Sequence, residues 1–100
     1  MATTSKALFR GAAATSSTTL YTTPSSTTTV VTNIAVTNTD GGDATFTLLL
    51  DDVSIATTIT VGGFDTTVID LKQVLATTKT IKGLASATTV KFHISGVEIA

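Results

Sequence analysis

The chain has 100 residues, a quarter of them threonine, with no cysteine, 13% charged residues and a formal net charge of −1. That length suits one domain with a single modest core, while the missing cysteine excludes thiol nucleophiles, iron–sulfur clusters and most structural zinc sites, and the near-neutral balance gives no support to nucleic-acid binding. An ordinary soluble domain is about 25% charged, so a surface this rich in threonine and this poor in charge favours burial against partners or other copies over solitary dispersion.

Residues 1–17 read as an extended or flexible N-terminal arm ahead of a domain spanning residues 18–100. Within the arm, Leu8 and Phe9 sit between Lys6 and Arg10. This predicts an apolar pair that docks in a partner's groove while the two cations meet an acidic rim. The segment after Arg10 is too short and polar for a secretory h-region, and residues 11–39 carry hydroxyls where a membrane span needs apolar groups.

Leu20 to Thr23 predicts a short strand ended by Pro24, the only proline, followed by a turn at Ser25-Ser26. Thr28 to Asn38 predicts a strand with Val30, Ile34 and Val36 on one face and Val31, Asn33, Ala35 and Thr37 on the other. If it pairs with Ala44 to Leu50, a three-residue loop Asp40-Gly41-Gly42 with a left-handed glycine sets the parity. Ala44 to Val61 then folds as a hairpin about Asp51-Asp52. Leu50 faces Val53, Leu48 faces Ile55, Phe46 faces Thr57 and Ala44 faces Ile59 on the core side.

After Gly62-Gly63-Phe64-Asp65, Thr66 to Leu71 predicts another strand, and Lys72 to Leu75 a single helical turn. Thr80 to Ala85 and Thr89 to Glu98 complete the set, the latter with Val90, Phe92 and Ile94 alternating against Lys91, His93 and Ser95. About seven or eight short strands without an amphipathic helix predict an all-β fold, a single antiparallel β-sandwich or jelly-roll-like domain.

Chemistry-bearing constellations are sparse. His93 is the one histidine and falls on the expected solvent face, without a second histidine or a cysteine to complete a metal site or triad. Asp51 and Asp52 are adjacent at a hairpin tip and read as turn formers. Asn38 to Asp43 is oxygen-rich but lacks the alternation and closing glutamate of a calcium loop. We therefore expect no enzyme, no cofactor and no metal. Charge is uneven along the chain: residues 40–70 hold six aspartates and no base, whereas residues 71–100 hold four lysines against Glu98. That asymmetry suits contact between copies or with an acidic partner, and marks Asp40, Asp43, Asp51 and Asp52 as candidate interface-loop residues.

Five segments carry a resemblance: Leu20-Tyr-Thr-Thr-Pro24, Val30-Val-Thr-Asn-Ile-Ala-Val-Thr-Asn38, Ala44-Thr-Phe-Thr-Leu48, Asp70-Leu-Lys-Gln-Val-Leu75 and Phe92-His-Ile-Ser-Gly-Val-Glu98. Together they resemble the strand sequences of small virion structural proteins of tailed bacteriophages, over about Leu20 to Ile99. The resemblance implies a non-enzymatic virion component assembled in the host cytoplasm. On it we expect a capsid decoration (cement) protein, a homo-oligomer with a trimer favoured, bound to the major capsid protein without nucleic-acid or membrane contact. The alternative it implies is a small tail or fibre-associated protein, with receptor or carbohydrate binding through Tyr21 or the Asp40 to Asp43 loop. No functional residues carry over from it.

Overall fold

The β-branched runs of the sequence become strands in the computed structural model, which describes residues 2–100. The described chain has eight strands and no helix: β1 (Thr3–Ala12), β2 (Thr18–Thr22), β3 (Thr28–Asn38), β4 (Ala44–Leu50), β5 (Val53–Val61), β6 (Thr66–Leu75), β7 (Thr80–Ala85) and β8 (Val90–Ile99). All pair antiparallel, in two four-stranded sheets of order β1-β8-β3-β6 and β2-β7-β4-β5.

Strict alternation along β4 buries Ala44, Phe46, Leu48 and Leu50, and along β8 it buries Val90, Phe92 and Ile94. Phe46 and Phe92 come from opposite sheets and meet edge to face, with ring centroids 6.2 Å apart at 74°. That geometry is the preferred one for two aromatic quadrupoles and locks the sheets across one shared apolar core.

Four expectations are corrected. The first is the arm: Thr3–Ala12 is an edge strand paired along its length with β8, and Leu8, only 8% exposed, belongs to the core. A register shift between Ala7 and Phe9 leaves Leu8 as the extra residue of a bulge and lets it turn inward. Second, β3 pairs with β8 and β6, not with β4. The Asp40 loop therefore crosses between sheets, and no glycine in the described chain takes a positive φ. A bulge between Val31 and Asn33 also puts Val31 inside together with Ile34 and Val36.

Third, the β4–β5 hairpin keeps the expected pairing only at its tip, Leu50 with Val53 and Leu49 with Ser54. Two register shifts then bring Leu48 opposite Ala56, Phe46 opposite Ile59 and Ala44 opposite Val61. Thr58 adopts φ 48° there, its N–H bonded to Thr47 Oγ1 at 3.0 Å. Fourth, Lys72 to Leu75 continues β6 instead of making a helical turn, because the long β3 still offers Val30 opposite Val74 and Thr29 opposite Leu75.

Candidate interface platform

Two loops meet at one end of the sandwich-like body, Thr39 to Asp43 between β3 and β4 and Gly62 to Asp65 between β5 and β6. They are held by Asn38, a side chain only 1% exposed. Its amide nitrogen donates to the carbonyls of Gly42 at 2.7 Å and Val61 at 3.4 Å. Its amide oxygen accepts from the backbone N–H of Asp40 at 3.1 Å and from Thr89 Oγ1 at 3.2 Å. A buried amide whose donors and acceptor are all used rigidifies what it joins, here both loops and Thr89, the residue just ahead of β8.

The loops are also bonded to each other. Phe64 N–H donates to the Asp40 carbonyl at 2.9 Å, and Gly63 N–H to Asp43 Oδ1 at 3.2 Å. Phe64 itself sits at φ 55°, and its ring is 78% exposed, the most exposed large apolar group of the described chain. The result is a rigid platform carrying a protruding phenyl ring, with the carboxylates of Asp40, Asp43 and Asp65 supplied by the same two loops. None of the three forms an ion pair among the described residues. An aromatic anchor on a preorganised support is the usual core of a binding interface.

The sequence-derived candidates separate on the structure. Asp40 and Asp43 lie on the platform. Asp51 and Asp52 lie at the opposite hairpin tip, where Lys79 approaches Asp51 to 3.7 Å and Lys82 donates to Asp52 at 2.7 Å, holding the Asp52 carboxyl below its usual range. Of the candidate docking residues, Leu8 is core, Phe9 packs against the core, and Lys6 pairs with Glu98 at 3.4 Å. Arg10 alone stays exposed without an ion pair among the described residues.

Tyr21, the candidate receptor or carbohydrate contact, is half-buried. Its hydroxyl donates to Glu98 Oε2 and accepts from Thr29 Oγ1 at 2.8 Å. Burial, then the carboxylate at its hydroxyl, pushes its pKa from 10 up to about 12. This bond ties β2 to β8 across the two sheets.

Phe64 was the residue the sequence hid, reading as mere punctuation after Gly62-Gly63. Its signal was an aromatic residue where turns favour small polar ones. A cavity of about 180 Å3 opens beside β4, lined by Thr15, Thr45, Thr47, Thr58, Leu84 and Ser86 among others. No titratable side chain lines it. Among the described residues no three acidic or histidine side chains converge as metal ligands, and Asp43 spends one oxygen on the Gly63 amide.

No protein-family model matches the chain, and no curated protein is significantly similar to it.

Proposed function

We propose that this chain is a non-enzymatic structural protein of a tailed-bacteriophage virion, a decoration (cement) protein that docks on the major capsid protein in many copies and stabilises the shell. One observation carries the reading furthest: the strand orders β1-β8-β3-β6 and β2-β7-β4-β5. They interleave early and late strands in both sheets, so we read the chain as an eight-stranded jelly roll, an architecture that recurs in viral capsid and lectin domains. The strand-sequence resemblance to small phage virion proteins points the same way, and so does a charge-poor threonine surface suited to being covered.

The N-terminal residues do not serve as a free docking arm in this reading, since Leu8 is committed to the core. Contacts repeated over a shell reinforce one another by avidity even where each is weak. Quantitative mass spectrometry of purified virions is the test. A copy number of order one per capsid subunit supports decoration, and a number comparable with that of tail subunits overturns it.

A second reading is a small tail or fibre-associated protein that binds a receptor or carbohydrate. The cavity beside β4, lined largely by threonine and serine, supports it, because neutral sugars are held by hydroxyl donors and acceptors of this kind. Tyr21 has no place in it, its hydroxyl being engaged within the fold. Glycan-array binding that disappears with Thr47→Ala supports this reading, and a flat array removes it.

A further inference from the structure

Six large apolar side chains are exposed in the described chain, namely Val53, Ile55, Ile59, Phe64, Val68 and Val74. All fall on β5, β6 and the turn between them. Scattered exposed apolar residues need no explanation, but a set confined to two edge strands and their connection marks a contact surface. β5 carries no charged residue in its nine positions, so this edge lacks the usual electrostatic protection against pairing.

The chemistry that complements this surface is on the same chain. On the outer face of the β1-β8-β3-β6 sheet, Arg10 lies directly across from His93, and Lys91 is one outward position along β8. Buried Phe92 and Ile94 fix the direction in which Lys91 and His93 project. Ala35 stands across from His93 with exposed Val68 beyond it on β6, and Lys91 lies between Ala12 and Thr37, so the ground around the cations is uncharged. Neither Arg10, Lys91 nor His93 forms an ion pair among the described residues.

We propose that the Phe64 platform of one copy docks on the Arg10–Lys91–His93 face of a second copy. The ring of Phe64 lies against the Arg10 guanidinium over that uncharged ground, and the carboxylates of Asp40, Asp43 and Asp65 meet Arg10 and Lys91. A cation over an aromatic face and a carboxylate beside it are satisfied together in this arrangement. A stable interface takes about 800 Å2 per partner, roughly a sixth of the 5106 Å2 surface of the chain, an extent that reaches from the platform along the uncharged β5 edge. Platform and receiving face are different patches, so the contact is heterologous and terminates only by closing into a ring. Three copies is the ring size expected of a decoration protein, and only that number rests on the functional reading above.

Sedimentation equilibrium of the full chain across the micromolar range tests the contact. The wild type is expected to reach a mass of about three times 10.2 kDa. Phe64→Ala, which removes an exposed ring and leaves the core untouched, should weaken association by about tenfold or more. Arg10→Glu with Lys91→Glu should leave monomers, as should Asp40→Lys with Asp65→Lys, and the chain carrying all four reversals should associate again. Salt raised to about 1 M should weaken the wild-type contact, because the screening length falls to about 3 Å. A wild type that stays monomeric, or association unchanged in Phe64→Ala and in Arg10→Glu with Lys91→Glu, overturns the proposal. Binding to shells is measured separately: a monomeric chain that still coats shells refutes this contact and leaves the decoration reading standing, and a ring that coats nothing does the reverse.

Discussion

A Cβ placed on Gly63 would stand 2.0 Å from the carbonyl oxygen of Gly41, well inside any permitted contact. The two loops of the platform touch backbone to backbone at that point, and only glycine leaves room. The constraint is one of space and not of dihedral angle, since Gly63 has no positive φ.

Gly63→Ala must therefore push the loops apart. Over-packing of this kind costs about 1–3 kcal/mol. The Phe64 N–H to Asp40 carbonyl bond, 2.9 Å long, spans the displaced junction and should open. Urea unfolding should show the loss, and amide exchange at Phe64 should accelerate more than exchange in β8. A wild-type midpoint together with unchanged Phe64 protection would contradict the packing described.

Asn38 offers a sharper test of the same region. Asn38→Ala leaves the buried carbonyl of Val61 and the part-buried carbonyl of Gly42 without their donor and should cost about 1–3 kcal/mol. Asn38→Asp keeps the shape but sets a carboxylate against those two carbonyl oxygens, so at neutral pH it should cost more than alanine. Chemical denaturation of the three proteins ranks them. An aspartate variant as stable as the wild type would mean that the amide nitrogen is not the group facing the carbonyls.

Much of the fold was legible in the sequence where burial follows a period of two. In β4 and β8 the alternation Phe46, Leu48, Leu50 and Val90, Phe92, Ile94 is unbroken, and each was assigned the face it occupies. β5 misled because two register shifts interrupt the period, leaving Val53, Ile55 and Ile59 outside and Ala56 and Val61 inside. Bulges of this kind gather at sheet edges, and which residue they insert depends on the neighbouring strand. β1 was missed because its small and polar residues have little pattern of their own. It is a strand by virtue of β8, a partner more than 80 residues away in the register Thr3 with Ile99. The platform was half-visible: Asp40 and Asp43 stood out by charge, whereas the exposure of Phe64 follows from a meeting of loops that local sequence does not encode.

The Tyr21 hydroxyl gives the fold an alkaline limit. With its pKa raised from 10 to about 12, the native state retains a proton that the unfolded chain releases first. The stabilisation is thus fully present below pH 10 and is lost as pH climbs from 10 towards 12. Urea midpoints measured from neutral pH upward should fall across that window. Tyr21→Phe, which cannot ionise, should be less stable at pH 7 for want of its bonds to Glu98 and Thr29, but should show a flatter alkaline decline. Parallel declines in both proteins would assign the effect to other groups.

Removing the first twelve residues separates a free arm from a structural strand. A free arm can be deleted with the domain intact. The structure requires the opposite, because the deletion strips β8 of one of its two ladders and takes Leu8 out of the core. The point variant Leu8→Ala isolates the packing part, and a buried leucine truncated in this way costs about 2–5 kcal/mol, depending on how far the site collapses. Because β8 also carries Phe92, whose ring meets Phe46 across the core, the deletion should broaden the unfolding transition as well as lower its midpoint. Thermal unfolding of the two variants should give a cooperative but lowered transition for Leu8→Ala and a weak or absent one for the deletion. A deleted chain that melts like the wild type would show that β1 is dispensable and that its pairing with β8 contributes little to stability.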